Sequence, residues 1–221
     1  DIRALDEQNG DLYVMTKYGI SVLNIDESTQ NHQWMPQGVE IHDGMLVRSN
    51  GIPYALAIAT TTGFALAPLL ADGSLGNLDS WDWSMVGELH ALSLLEGTDG
   101  NQQVIGLGHG GVGGIIEISS LGAISETFAL GQGLRAGLET ANASVTSIEH
   151  GAIGGSTLVL FVGTDRGLMM VETASARDEV AGEWRFFFTQ ESTGISPDIH
   201  ELRSLPLGTV GPPAEVRDIL L

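Results

Sequence analysis

The stretch Ile2-Arg3-Ala4-Leu5-Asp6-Glu7-Gln8-Asn9-Gly10-Asp11-Leu12-Tyr13-Val14-Met15-Thr16-Lys17-Tyr18-Gly19-Ile20-Ser21-Val22-Leu23-Asn24 reads as three short strands joined by two tight turns. Asn9-Gly10 lies between two apolar runs, the usual signal of a hairpin whose turn needs positive φ. Leu12-Tyr13-Val14-Met15 is a continuous apolar run of strand length, as expected where both faces of a sheet are covered. Thr16-Lys17-Tyr18-Gly19 makes the next turn, with Gly19 expected to take a conformation that a side chain would forbid. A third strand then runs over Ile20–Ile25.

The same order of features returns along the chain. Opening strands recur at Ile2-Arg3-Ala4-Leu5, more loosely at Ile41-His42, and at Leu89-His90-Ala91-Leu92, Val145-Thr146-Ser147-Ile148 and Ile199-His200-Glu201-Leu202. Second strands at Leu12–Met15, Leu56–Ala59 and Leu160–Gly163 each run into Thr-x-x-Gly, at Thr16–Gly19, Thr60–Gly63 and Thr164–Gly167. Aromatic residues follow as Trp34, Trp81 with Trp83, Phe128 and Trp184, and Asp72-Gly73-Ser74-Leu75 and Leu121-Gly122-Ala123-Ile124 make turns before the outer strands. Agreement of several phases at a period of roughly fifty residues is the mark of a repeat architecture. The fold class predicted is all-β, a β-propeller of four-stranded antiparallel blades, about four of them plus an incomplete fifth. The blades fall at about 1–38, 39–86, 87–143 and 144–195, with a partial blade over 196–221. The chain opens on a strand without Met and stops inside the fifth repeat, so it is expected to be a segment of a longer polypeptide. Its ring is then either truncated or completed by sequence or subunits outside it, and unpaired sheet edges make edge-mediated homo-oligomers an expected association.

Composition narrows the setting. Among 221 residues, 43% are hydrophobic and 17% charged, with mean hydropathy +0.13, enough for a folded core. Thirty glycines fit many tight turns better than long helices. A net charge of −19 repels phosphate and anionic headgroups, so nucleic-acid and membrane-surface binding are disfavoured. Such a surface suits a saline environment, where screening acts within less than about 8 Å, as well as it suits an ordinary acidic exported protein. Without cysteine, disulfides, thiolate metal sites and thiol nucleophiles are excluded. No apolar run reaches the roughly eighteen residues that a membrane-spanning helix requires, so membrane insertion is not expected.

Residues 2–24, with Phe161-Val162-Gly163-Thr164-Asp165-Arg166-Gly167-Leu168 in the fourth repeat, resemble the repeat of two-component-regulator-type propellers. The Gly73 and Gly122 turns are similar, more weakly, to those of lactonase-like propellers. The first resemblance covers nearly the whole chain at repeat level and carries over no catalytic residue. It implies an extracellular or cell-surface sensory or interaction domain of a larger protein. The tryptophan common in that family's second strand is Tyr13 here and is missing from the later repeats.

Several constellations invite a chemical reading. His90 and His200 share one phase of the opening strand with Arg3 and Thr146, and His42 lies near it. Where opening strands line a central channel, Arg3, His42, His90 and His200 form a candidate ligand-binding set for an anion. A metal is the alternative if imidazole nitrogens come within about 2.1 Å of an ion; water-bathed polar residues, or residues packed between blades, are the plainer reading. Gly106-Leu107-Gly108-His109-Gly110-Gly111 matches Gly-x-Gly-x-x-Gly, but the strand-like Gly113–Ile118 follows where a dinucleotide cradle needs a helix, so a hairpin is expected. Asp6, Asn9 and Asp11, and more loosely Asp72 and Asp79, offer oxygen ligands for Ca²⁺, yet the twelve-residue loop with its terminal Glu is absent and turns explain them equally. Asn142-Ala143-Ser144 is a glycosylation sequon. Trp81-Asp82-Trp83 and Trp184-Arg185-Phe186-Phe187-Phe188 serve either inter-blade packing or an exposed aromatic surface.

No Gly-x-Ser-x-Gly elbow and no paired acid and base are present, so no cofactor and no catalytic residue are assigned. The expected function is a non-enzymatic propeller module for protein interaction or ligand sensing within a larger exported protein, its partner a protein or small molecule. Two other classes stay open: a propeller enzyme, lyase or lactonase-like, using the His/Arg set, and a structural self-assembling fragment.

Overall fold

The computed structural model describes residues 1–8, 10–24, 29–84, 87–96, 102–109, 112–119, 122–129, 132–153, 157–173, 185–187, 203–204 and 219–220. The fold is a β-propeller of antiparallel sheets. Strands β1 (Ile2–Gln8), β2 (Asp11–Thr16), β3 (Gly19–Asn24) and β4 (Thr29–Trp34) form the first sheet in chain order. The second holds β5 (Ile41–Ser49), β6 (Ile52–Thr60), β7 (Gly63–Pro68) and β8 (Asp82–Ser84). The third holds β9 (Ala91–Glu96), β10 (Gln102–Leu107), β11 (Gly113–Ile118) and β12 (Ile124–Ala129). The fourth holds β13 (Val145–Ile153), β14 (Thr157–Thr164), β15 (Gly167–Thr173) and β16 (Arg185–Phe187), and β17 (Arg203–Ser204) pairs with β18 (Ile219–Leu220). By packing, the chain divides into two compact units, residues 1–106 with 116–127, and residues 107–115 with 128–221.

In the first unit, the opening strands β1 and β5 lie side by side, as do β5 and β9. Two apolar clusters fill the spaces between sheets. One joins Tyr13, Met15 and Ile20 to Leu46, Leu56 and Ile58; the other joins Ala57, Phe64 and Leu66 to Leu89, Leu92 and Ile116. The second sheet shows how one sheet serves both. Ile58 stands opposite Ala65 and Leu56 opposite Ala67 on one face, while Ala59 stands opposite Phe64 and Ala57 opposite Leu66 on the other. Each cross-strand pair combines a large residue with alanine, which keeps both faces level for close packing. In the second unit, Val159, Phe161 and Leu168 form a smaller cluster.

The Thr-x-x-Gly repeat has a local cause. The hydroxyls of Thr16, Thr60 and Thr164 donate to the carbonyls of Gly19, Gly63 and Gly167 at 2.9, 2.8 and 2.7 Å. Threonine thus closes the hairpin from within a strand that also favours its branched side chain. Gly63 and Gly167 have φ of +137° and +133°, whereas Gly19 is absent from the positive-φ region. At Gly19 the requirement is space: a Cβ would come to 2.8 Å from the Gln33 carbonyl oxygen. The expectation of a forbidden backbone conformation is therefore corrected there to a close approach of β4.

One helix is not legible in the repeat. α1 (Gln132–Ala141) buries Leu138 and ends at Asn142, whose φ of +50° and neighbouring Ala143 N–H to Leu138 O bond of 3.0 Å make a left-handed cap. The glycine-rich hexapeptide is a hairpin, closed by the Gly108 N–H on the Val112 carbonyl at 2.6 Å, and β11 follows it; Gly110 and Gly111 lie outside the described residues.

Tyr13 is 1% exposed and donates its hydroxyl to the Gly73 carbonyl at 2.8 Å. Burial, with the charges of Asp11, Asp6 and Asp72, pushes its pKa from 10.0 up to about 12. The folded value lies above the unfolded one, so this contribution to stability is complete below pH 10 and fades as pH rises toward 12. Urea unfolding of the parent chain and of Tyr13→Phe at stepped pH is expected to show the parent more stable by about 1 kcal/mol below pH 10. That lead should disappear between pH 10 and 12, because the phenylalanine variant has no phenolic proton to lose at this position.

Candidate functional site

Pairing along the opening strands explains which residues are offered to a ligand. Ile2, Ile41 and Val145 stand opposite Thr16, Thr60 and Thr164, and in each case the register slips before the next paired residue, Ala4, Asp43 and Ser147. Arg3, His42 and Thr146 therefore occupy equivalent bulges. A bulge leaves one residue out of the ladder and re-aims its side chain. His42 thus belongs to the same phase as Arg3, a closer match than its sequence context suggested. His90 immediately precedes β9.

The structure brings His42 and His90 together. Their rings stack with centroids 4.6 Å apart and planes 27° from parallel. Both Nε2 atoms lie 3.1 Å from one oxygen, Oε1 of Glu88. These three ligand-type atoms fall within 4.8 Å of one another, and among the described residues they are the group of three or more His and acidic side chains that does so. Arg3 pairs with Asp1, Nη2 to Oδ2 at 3.0 Å, and its charge reaches His42. His200 lies outside the described residues, as do Asn9 and Trp184.

The electrostatics follow from this crowding. Burial lowers the pKa of His42, and the charge of His90 lowers it further against the opposing pull of Glu88. For Glu88, burial acts upward but is outweighed by the hydrogen bonds and charges of His90 and His42, so its carboxyl is held below the usual range. The resulting state at neutral pH is a carboxylate facing an imidazole that resists protonation. Glu88 also stands where an anion would meet both rings. The cluster is accessible, Glu88 being 47% exposed at its side chain.

Sequence reasoning does not pick out Glu88, although a signal exists. In Glu88-Leu89-His90 the polar residues are two apart, the spacing that puts side chains on one side of an extended chain, and Leu89 between them is fully buried. Of the oxygen-bearing residues considered for Ca²⁺, Asp6, Asp11 and Asp72 are engaged elsewhere. Asp6 accepts from the Leu46 N–H and Arg48, Asp11 from Asn24, and Asp72 from the N–H and hydroxyl of Ser74. Trp81 is buried and donates its indole N–H to Gly76 at 2.9 Å, a packing role. No helix among the described residues is long and apolar enough to cross a membrane.

No protein-family model matches the sequence, and no curated protein does. Solved structures do share the fold. The extracellular domain of a one-component system from B. thetaiotaomicron aligns with TM-score 0.51 and 16% identity over 92% of this chain and 24% of that one. An extracellular domain of a hybrid two-component system from the same organism gives 0.50 and 17%, with the same 92% and 24% coverage. The Dos1 propeller gives 0.54 and 16% over 86% of this chain and 49% of that one. The chain thus spans about a quarter of the first two and about half of the third. At these identities the likeness is one of fold, a β-propeller like that of the regulators' extracellular domains.

Proposed function

We propose that this chain is a non-enzymatic recognition module of a larger exported protein, sensing a ligand or partner through the polar cluster at its opening strands. The observation that carries this reading is the convergence of His42 on β5 with Glu88 and His90 from the segment leading into β9, partly open to solvent. The fold likeness to extracellular regulator domains supports an exported sensory setting. Electrostatics argue against a general acid at this cluster. A general acid at neutral pH needs a raised carboxyl pKa, while Glu88 is lowered and already shared by two imidazoles. With a central carboxylate and a net charge of −19, the ligand is expected to be neutral or cationic.

The test is calorimetry of the protein against neutral and acidic oligosaccharides, amino acids and polyamines, with mass spectrometry of the compound recovered. A saturable ligand returned unchanged, and lost on replacing both His42 and His90 by Ala, supports recognition at this cluster. Conversion of the bound compound would instead establish lyase- or lactonase-type chemistry. Binding that ignores the double replacement would move recognition elsewhere.

A further inference from the structure

We infer that His42 Nε2, His90 Nε2 and Glu88 Oε1 form a site for one divalent transition-metal ion with the coordination habits of Zn²⁺, leaving an open position for water or an incoming ligand. This rests on the reading of the cluster as a recognition point and identifies the cation expected there as a metal ion, whose open position takes water or a neutral donor group.

In a tetrahedral zinc site with bonds of about 2.0–2.1 Å, neighbouring ligand atoms stand about 3.3 Å apart. Each imidazole Nε2 here is 3.1 Å from the carboxylate oxygen, and all three atoms lie within 4.8 Å. Because both rings direct Nε2 at the same oxygen, their in-plane lone-pair directions converge. An ion placed among the three atoms replaces the two N–H···O bonds: each Nε2 gives up its proton to solvent and Nδ1 takes one up, so each imidazole stays neutral and the carboxylate keeps its charge.

Two imidazoles with one carboxylate suit zinc, cobalt, nickel or copper, whereas calcium and magnesium ask for oxygen. Three protein ligands with a fourth position open is also the arrangement that lets an ion meet a further molecule. The nearby cation Arg3 is offset by Asp1, and the acidic chain as a whole attracts cations.

The backbone that carries the ligands is pinned on both sides. Beside His42, the Ile41 N–H donates to the Lys17 carbonyl at 2.8 Å, and Asp43 Oδ2 accepts the Leu92 N–H at 2.9 Å. Between Glu88 and His90, the Leu89 N–H donates to the Thr60 carbonyl at 3.0 Å. The Asp43 bond crosses directly from the strand bearing His42 to the strand that follows His90, so it sets the gap between the rings. Ile41 and Leu89 are fully buried and anchor the same two segments. A site held this way needs little rearrangement to accept an ion.

The test uses the chain stripped with EDTA and titrated with ZnCl₂ alone, by calorimetry and by competition with a chromophoric chelator. Saturable binding of one ion per chain is expected, and Co²⁺ in its place should give the strong visible bands of a four-coordinate site. Losing an outer-shell partner already weakens metal sites by about 10–100-fold, so His42→Ala, His90→Ala and Glu88→Gln should each weaken zinc by at least about 100-fold. His150→Ala, at another His/Glu contact, should leave it unchanged. Far-ultraviolet dichroism and melting confirm folding of each variant, and His90→Gln provides a bulkier polar replacement should His90→Ala unfold. Absence of saturable zinc binding, binding that survives all three substitutions, or equal binding of Ca²⁺ would overturn the inference. Since no organic ligand is used, a negative result here leaves the recognition test standing. Zinc binding with no ligand found in the panel would retain the metal site and remove the recognition reading.

Discussion

Replacing Phe64 by Ala is expected to cost about 3–5 kcal/mol, the range for deleting a buried aromatic ring. Phe64 is fully buried in the cluster between the second and third sheets, among Ala57, Ala59, Leu89 and Leu92. Its cross-strand partner is Ala59, too small to fill the space. The cavity should therefore stay largely open, placing the loss toward the upper end of the range. Chemical denaturation with matched slopes measures it. Phe64→Leu should retain more than half of the lost stability, and a loss below about 1 kcal/mol for Phe64→Ala would mean that the sheets close over the gap.

Asp6→Ala is expected to cost about 2–3 kcal/mol through polar groups left unpaired. The Asp6 carboxylate bridges the first two sheets: Oδ2 accepts the N–H of the fully buried Leu46 at 2.9 Å, and Oδ1 takes Arg48 Nη2 at 2.6 Å. Alanine removes both acceptors together. Asp6→Asn keeps one oxygen for the Leu46 N–H and should cost about half as much, since hydrogen bonds to charged groups are the stronger kind. Arg48 is partly exposed, so salt should erode the Asp6–Arg48 share of the loss but leave the Leu46 share. Denaturation of the parent and both variants at low and high salt separates the two. Equal losses for Asp6→Ala and Asp6→Asn would mean that charge, not the acceptor, matters at this bridge.

Much of the fold was legible because its information is local. Asn9-Gly10, the Thr-x-x-Gly turns and the apolar second strands each state their own conformation, and their recurrence adds the sheets together. The Thr hydroxyl bonds to Gly19, Gly63 and Gly167 confirm a rule contained within four residues. α1 escaped because its burial rests on tertiary partners of Leu138 and its cap on the backbone of Asn142. The weak look of Ile41-His42 as an opening strand came from Asp43-Gly44, where Gly44 takes the place of the apolar Leu5, Leu92 and Ile148 of the other opening strands.

The candidate site divides in the same way. The sequence by itself determined that opening strands recur with Arg3, His42 and His90 in polar positions, since strand phase follows from the spacing of apolar residues and turns. Tertiary structure decided that two of them stack, that Glu88 joins them, and that Arg3 is drawn toward Asp1. The reason is that distance between strands far apart in sequence is set by sheet packing and by single long-range bonds such as Asp43 to the Leu92 N–H. No periodicity within one strand encodes them.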